Sequence, residues 1–187
     1  METVPYDDAK AFCEALNRQY GKKLATQLGV SGYAFLLPTE AQWEYACRGG
    51  ASEKNSLPFH FKSGPSASLS STQANFNGNF PYGGADQGKD LHRSHTVGSY
   101  QKNAFGLYDM HGNVMEWCSD WYDADYYQHS DKKDPNGPGE GKLHVLRGGS
   151  WRGGASDCRT ADRCGRSPGS RVYYYGFRVV SSVARVP

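Results

Sequence analysis

The segment LPTEAQWEYACRGG, residues 37–50, carries a full set of helix signals. Thr39 and Gln42 have the spacing of a capping box, in which each side chain bonds the backbone N–H of the other residue. Trp43 and Cys47 then share one face at helical spacing, and the closing pair of glycines is typical of a helix C-terminus. We therefore expect a helix that starts after Thr39 and turns its Trp and Cys towards a core.

A second helix is predicted on the N-terminal side of this segment. Asp7 is a candidate N-cap, and apolar residues recur at three- or four-residue intervals from Ala9 to Tyr20. Cys13 lies on that apolar stripe, where a cysteine is expected to act as a small buried hydrophobic residue. The helix is expected to end near Gly21.

The remainder of the chain indicates short strands and long loops. Short strands are predicted at residues 33–37, 95–100, 143–147 and 176–183. Residues 51–102 are rich in Ser, Gly and Asn with little periodicity, so packing or a bound ion must order them. Two helices followed by short strands predict one α+β domain over residues 1–187.

The composition limits the class of fold. The chain has 187 residues, no isoleucine, 23 glycines and 13 tyrosines. An aromatic, loop-rich core is therefore expected in place of an aliphatic helical bundle. No apolar run approaches the ~20 residues of a membrane-spanning helix, and no basic-then-apolar secretory signal follows Met1.

The charged residues and the cysteines argue against a nucleic-acid-binding protein and against a structural zinc site. Between Arg147 and Arg178 there are seven arginines, no lysine and only two acids. Arginine without lysine, mixed with Tyr and Gly, is typical of buried guanidinium groups or of a protein-contact surface, so no nucleic acid is expected. The five cysteines include no C-x-x-C pair and no histidine at zinc-finger spacing, which argues against a structural zinc site.

Three blocks of sequence together resemble the formylglycine-generating enzyme, or sulfatase-modifying-factor, family. They are LPTEAQWEYACRGG, NAFGLYDMHGNVMEWCSDWY (residues 103–122) and VLRGGSW…GFRVV (residues 145–180). The blocks occur in a coherent order and spacing over most of the chain. The resemblance implies an elaborated C-type-lectin-like α+β fold that is rich in loops, with two main helices and short antiparallel strands.

The resemblance also locates the family's pair of copper-binding cysteines. The second position is Cys158, but the first is Gly153, which has no side chain to bind a metal. Because a two-coordinate Cu(I) site selects sulfur ligands, the resemblance implies that oxidase activity is absent and that no copper is bound. The alternative is a copper-dependent oxidase that uses Cys158 with Cys164, a pair whose spacing and order differ from those of the family.

Structural Ca²⁺ at two places is a further implication of the resemblance. The family's ligands in an "AN" loop correspond to Asn75 and Phe76, and those in a "GNVWEW" segment correspond to Asn113, Val114 and Glu116. Hard cations favour such side-chain and main-chain oxygens. The alternative at the second place is that Asn113 caps a turn and Glu116 pairs with an arginine.

The last quarter of the chain resembles a narrower group within this fold, the variable proteins of diversity-generating retroelements. Their framework residues alternate with positions whose asparagine codons are randomised at adenine. The framework elements present here are RGGSW (residues 147–151), Ala155, Cys158, Arg159, Ala161, Arg163, Pro168, Arg171 and GFR (residues 176–178). The resemblance implies a variable region at about residues 147–180.

The genetic code provides a check, because a randomised asparagine codon cannot yield Lys, Gln, Glu, Met or Trp. Residues 152–175 contain none of these five types, against about four expected from their share of the whole chain. The residues predicted to contact a ligand are Arg152, Gly153, Gly154, Ser156, Asp157, Thr160, Asp162, Cys164, Gly165, Arg166, Ser170, Val172, Tyr173, Tyr174 and Tyr175.

This set has the composition of antibody loops, in which Tyr and Arg supply contact area while Gly and Ser supply adaptability. We therefore predict a non-catalytic, monomeric protein that binds a protein or other macromolecular ligand, with display at a cell or virion surface as its natural location. An alternative for the tyrosine run is a strand of alternating burial, with Tyr174 in the core. A sensor or accessory domain with a fixed partner is a further alternative.

Overall fold

The computed structural model describes residues 2–51 and 57–184. Its N-terminal part is helical. Helix α1 (Tyr6–Leu16) runs directly into a π-helical turn (Asn17–Gly21) and then into helix α2 (Lys22–Leu28). The predicted loop over residues 51–102 and the predicted domain over residues 1–187 lie partly outside the described residues.

Both predicted ends of the first helix are wrong. Pro5, and not Asp7, precedes α1 in an extended conformation, and no side chain caps the helix. Gly21 does not end the helix, because its backbone stays helical with φ of −56°. A Cβ atom at Gly21 would lie 3.1 Å from the Tyr33 carbonyl oxygen, so this glycine permits close packing of the helix against the following strand.

Helix α3 (Glu40–Arg48) confirms the predictions made for residues 37–50. Thr39 accepts a hydrogen bond from the Gln42 backbone, and the Gln42 side chain accepts one from the Thr39 backbone, which completes the capping box. Gly49 ends the helix with φ of 59°, in the left-handed region that favours glycine. Trp43 and Cys47 are buried.

The strands of residues 2–51 and 57–184 form three small sheets. They are β1 (Gly32–Leu36), β2 (Phe59–Phe61), β3 (Gly64–Ser66), β4 (Met115–Trp121), β5 (His144–Arg147), β6 (Cys164–Arg166), β7 (Tyr175–Gly176) and β8 (Val180–Ala184). Antiparallel pairs join β1 to β8 and β2 to β3, and the remaining strands form a sheet in the order β6-β5-β4-β7. The pair β4–β7 is parallel, which departs from the prediction of antiparallel strands alone.

The strand predictions are confirmed only in part. Strands β1 and β5 match the predictions at residues 33–37 and 143–147 to within one residue, and the region 176–183 contains most of β8. Residues 95–100 form no strand. Strand β4 was not predicted because it buries the polar residues Glu116 and Asp120, so an apolar–polar alternation does not mark it.

The bulkiest apolar side chains of the core are aromatic, although smaller Val, Ala, Cys and Leu side chains make up much of the rest. Trp43, Trp117, Phe59 and Phe76 are among its fully buried side chains. Cys13 on α1 is also buried, as expected from its place on the apolar stripe. The α+β class is therefore confirmed, and the described part of the chain contains no helix with the length and apolar character needed to cross a membrane.

The capping box gives a prediction about stability. Replacing Thr39 by Ala removes the side-chain acceptor at the start of α3 and should lower the free energy of unfolding by about 1 kcal/mol. Urea denaturation followed by circular dichroism measures the change. Thr26→Ala is the control, because the Thr26 hydroxyl only bonds the Lys22 carbonyl within exposed α2, and this variant should lose no stability. Equal losses in the two variants would contradict the role of the capping box.

Candidate functional site on the C-terminal face

A buried arginine supports the surface formed by residues 152–175, which we call the C-terminal face. The guanidinium of Arg147, on β5, is fully buried. Two carboxylates of α3 compensate its charge, with Nε 3.0 Å from Glu40 Oε1 and Nη2 bonded to Glu44. Nη1 donates to the main-chain carbonyl of Thr160 at 2.8 Å and to that of Asp162. Arg147 therefore fixes an irregular loop of the C-terminal face to the helical scaffold.

Two further side chains anchor the same loop. Arg163 donates two hydrogen bonds to the Glu40 carboxylate, at 2.7 and 2.8 Å. His111 accepts the His60 backbone N–H at Nε2 (2.9 Å), so its proton resides on Nδ1, which donates to the Cys158 carbonyl at 2.8 Å. Burial lowers the pKa of His111 to about 4, which keeps the ring neutral at pH 7.

Seven of the predicted contact residues line a single cavity of about 320 Å³ on the C-terminal face. They are Arg152, Gly153, Asp157, Asp162, Cys164, Arg166 and Tyr174. The lining is completed by Met115, Gly149, Ser150 and Arg163. Residues that are interspersed along the chain thus meet around one concave site, to which a 3₁₀ turn (Ala155–Cys158), strand β6 and the tyrosine run all contribute.

An exposed aromatic residue lies next to this cavity. Tyr173 is 46% exposed, and its ring centroid is 5.5 Å from that of Trp151. The Arg152 guanidinium carbon lies 5.7 Å from the Tyr173 ring centroid, within the range of a cation–π contact. Tyr173 therefore presents a supported aromatic surface beside the cavity.

Two predicted contact residues lie in the interior, so these predictions are wrong. Thr160 is 1% exposed and its hydroxyl donates to the Pro58 carbonyl at 3.0 Å. Tyr175 is 2% exposed and packs edge-to-face on Trp117, with 5.6 Å between ring centroids. Tyr175 is therefore the buried residue of the tyrosine run. The alternating-strand alternative places Tyr174 in the core instead.

The remaining predicted positions do not line the cavity. Ser156 is exposed, whereas Ser170 and Val172 are half-buried. Two glycines are in close contact with aromatic residues outside the variable region. A Cβ atom on Gly154 would lie 3.1 Å from the Phe80 Cβ, and one on Gly165 would lie 2.6 Å from the Tyr122 ring.

Phe80 is a surface residue of this site that the sequence did not indicate. Its side chain is 64% exposed, and its carbonyl accepts the Ala155 N–H at 2.9 Å. A second backbone bond joins Asn77 N–H to the Gly153 carbonyl at 2.9 Å. The loop around Phe80 has no periodic pattern, so only these tertiary bonds reveal that it borders the C-terminal face.

Gly153 has a specific partner within the variable region. A Cβ atom at this position would lie 2.4 Å from Asp157 Oδ2, closer than real Cβ contacts allow. Any other residue at position 153 therefore requires the Asp157 carboxylate to move.

The cysteines of this face are poorly placed for thiolate chemistry. Cys158 is fully buried, its Sγ lies 3.7 Å from the Gly154 carbonyl oxygen, and burial raises the pKa of its thiol. Cys164 lines the cavity and is half-buried, which also raises its pKa. In the metal-free protein both thiols are therefore protonated at neutral pH, so neither is a ready nucleophile. All five cysteines are free thiols.

The residues predicted to bind calcium form one contiguous cluster. Asn75 Nδ2 donates to Asn113 Oδ1 at 3.2 Å, and the Asn113 N–H donates to the Asn75 carbonyl at 2.7 Å. Val114 and Glu116 line an adjacent cavity, while Phe76 is buried in the core. Within the described residues, no group of three or more His, Cys, Asp or Glu side chains is arranged to hold a metal ion.

The two predicted calcium sites differ in how well they fit a cation. The Glu116 carboxylate is bound by Arg178, at 2.5 and 2.8 Å, and by the Trp43 indole N–H at 2.7 Å. It therefore makes the arginine pair named as the alternative. At the first site, Asn75 Oδ1 is buried with no hydrogen-bond partner in the described part of the chain, which leaves an acceptor that a hard cation would satisfy.

Comparison with known proteins identifies the family. A family model for the sulfatase-modifying factor enzyme 1-like domain matches residues 1–183. This chain belongs to that family. A formylglycine-generating enzyme of Streptomyces coelicolor is 42% identical over 147 residues, which cover 76% of this chain and 45% of the enzyme. The family thus has enzymatic members.

Other relatives show that the same domain occurs in different protein settings. A protein of Chlamydia pneumoniae named serine/threonine-protein kinase pkn1 is 40% identical over 164 residues, covering 84% of this chain but 23% of the kinase. The chain thus spans less than half the length of both relatives. Among solved structures, Treponema denticola variable protein 1 superimposes with a TM-score of 0.69 and 28% identity, over 97% of this chain and 70% of that protein.

The buried arginine gives a prediction about the stability of the site. Arg147→Met leaves the carbonyls of Thr160 and Asp162 without this donor, while Glu40 keeps Arg163 and Glu44 keeps Arg48. Since each buried acceptor left without a donor costs about 1–3 kcal/mol, the substitution should lower the free energy of unfolding by about 2–4 kcal/mol. Arg171→Met is the control, because Arg171 pairs with Asp8 at an exposed position and its loss should cost less than about 1 kcal/mol. Urea denaturation measures both values, and a similar cost in the two variants would contradict the structural role assigned to Arg147.

His111 gives a prediction about pH. The folded ring has a pKa of about 4, whereas the unfolded chain binds a proton near the ordinary value of about 6.5. As pH falls through this interval the unfolded state binds a proton at this ring and the folded state does not, so the contribution of His111 to stability falls by about 3 kcal/mol between pH 6.5 and 4.

Denaturation at a series of pH values measures this loss. His111→Asn should flatten the dependence over the interval, while the control His129→Asn, at an exposed side chain, should leave it unchanged. A variant at His111 with an unchanged dependence would show that another group is responsible.

Proposed function

We propose that this chain is a non-catalytic binding protein that uses its C-terminal face to hold a protein or other macromolecular ligand. The observation that carries the proposal is the convergence of interspersed variable-region positions on one cavity of about 320 Å³. Most of these side chains are exposed or half-buried, whereas the framework residues Arg147 and Arg163 are bound to the scaffold carboxylate of Glu40. This difference between variable and framework residues supports a fixed scaffold that carries an exchangeable surface.

The absence of a cysteine at the family's first copper-binding position supports the non-catalytic part of the proposal. Gly153 stands where the family's oxidases have their first cysteine, and it offers no ligand. The thiol of Cys158 is buried and is protonated in the metal-free protein, so it is not a ready nucleophile. The proposal accordingly includes no copper.

The composition of residues 152–175 supports diversification of this surface. The segment lacks all five residue types that a randomised asparagine codon cannot produce. The fold is also that of a solved variable protein from Treponema denticola. We infer that the chain is of the same kind as the variable proteins of retroelements, and that it binds as a monomer.

Structural calcium belongs to the proposal at one of its two predicted places. Asn75 Oδ1 is a buried acceptor without a partner in the described part of the chain, and Phe76 would add a carbonyl oxygen. Calcium there would join the loop around residue 75 to the segment at Asn113, since the two asparagines are already hydrogen-bonded. At Glu116 the guanidinium of Arg178 compensates the charge of the carboxylate, in place of a metal ion.

Selection of ligands tests the binding function. Peptides selected from a phage-displayed random library on the intact protein should lose about tenfold or more in affinity for Tyr173→Ala, because exposed aromatic residues dominate such contacts. Tyr20→Ala is the matched control, since Tyr20 is 40% exposed but lies in the π-helical turn after α1. Ligands that depend on Tyr20, or on neither residue, would contradict the C-terminal face as the binding site.

A copper assay tests the enzymatic alternative. The protein incubated with Cu(I), oxygen and a cysteine-containing peptide should show no oxidation of the peptide thiol above that of Cys158→Ser. One-to-one Cu(I) binding that disappears in Cys158→Ser, together with turnover of the peptide, would overturn the non-catalytic proposal.

A further inference from the structure

The arginines of the variable region divide into two groups by their partners. Five of the seven between residues 147 and 178 pair with a carboxylate within 4 Å. They are Arg147, Arg159, Arg163, Arg171 and Arg178. All five are framework positions. The two others, Arg152 and Arg166, occupy variable positions and have no carboxylate within that distance among the described residues.

The two unpaired arginines line the same cavity. Arg166 is held in place by neutral groups, because its Nε donates to the Tyr175 hydroxyl at 3.0 Å and its Nη1 donates to the Gly165 carbonyl at 2.8 Å. Arg152 is held by its contact with the Tyr173 ring. Neither arrangement neutralises a charge, so the cavity contains two oriented guanidinium groups without counter-ions.

The acidic residues of the cavity only partly offset this charge. Asp162 is committed to Arg159 at 3.1 Å, and Arg163 is matched by Glu40. Asp157 accepts a hydrogen bond from the Ser156 hydroxyl and has no cation within 4 Å in the described part of the chain. Two uncompensated cations and one uncompensated anion leave an excess of one positive charge.

We propose that this cavity binds the carboxylate of an Asp or Glu side chain presented by a polypeptide partner. The inference rests on the proposed binding function and specifies its ligand. A guanidinium binds a planar carboxylate through two parallel hydrogen bonds, and an anion of single charge matches the excess of the cavity. A dianionic phosphate is disfavoured, because its second charge meets the Asp157 carboxylate in the same small volume.

Side-chain NMR of the intact protein with three short peptides tests this assignment. The probes are acetyl-Ala-Glu-Ala-amide, its Gln counterpart and its phosphoserine counterpart. The Glu peptide should shift the Nε–H signals of Arg152 and Arg166 in a saturable manner, with an affinity about tenfold above that of the Gln peptide. Equal titration by the Gln peptide, or preferential binding of the phosphoserine peptide, would overturn the carboxylate assignment.

Variants separate direct binding from a structural effect. Arg166→Gln and Arg152→Gln should each weaken the Glu peptide about tenfold, whereas Arg171→Gln, whose exposed side chain pairs with Asp8 and does not line the cavity, should have no effect. Asp157→Asn should act in the opposite direction and strengthen binding a few-fold, because it removes the like charge. Loss of binding in Arg171→Gln, or weaker binding in Asp157→Asn, would contradict the proposal.

The outcome is distinguishable from failure of the binding function itself. If library-selected ligands depend on Tyr173 but carry no acidic residue and are indifferent to Arg152 and Arg166, the C-terminal face binds ligands and only the carboxylate inference is wrong. If no ligand depends on Tyr173, the proposed function itself is wrong.

Discussion

The C-terminal face depends on one buried cation, the Arg147 guanidinium. The loop around residues 155–163 has little regular secondary structure, so its carbonyl groups need partners from elsewhere. Arg147 supplies two of them, at Thr160 and Asp162, while Glu40 and Glu44 on α3 hold the guanidinium in place. A guanidinium suits this position because its planar fork donates in several directions at once and its charge persists when buried. A surface loop is thereby attached to helix α3.

The fold was predictable where its signals are local. The capping box at Thr39 and the glycine after α3 depend only on neighbouring residues, and both were correctly predicted. The extent of the first helix was not predictable, because Gly21 ends a helix in isolation but here permits contact with Tyr33. Strand β4 escaped prediction because its polar side chains are buried by partners distant in sequence, such as Arg178 for Glu116.

The candidate site was predictable in its location but less so in its detail. The alternation of framework and variable positions marked fifteen contact residues, of which seven line one cavity. It could not indicate that Thr160 turns inward, since that depends on the position of Pro58, nor that Tyr175 packs on Trp117. Phe80 was missed because it comes from a loop whose attachment to the face consists of backbone hydrogen bonds that leave no pattern in the sequence.

The close approach of position 153 to Asp157 limits how such a surface can vary. A side chain at 153 and the present carboxylate at 157 cannot occupy their places together, because 2.4 Å separates the Cβ position from Oδ2. The two positions therefore share one volume, and a large residue at one requires a small or redirected residue at the other. If this surface is exchanged as proposed, substitutions at positions 153 and 157 should be correlated, because a side chain at 153 is accommodated only when the side chain at 157 turns away.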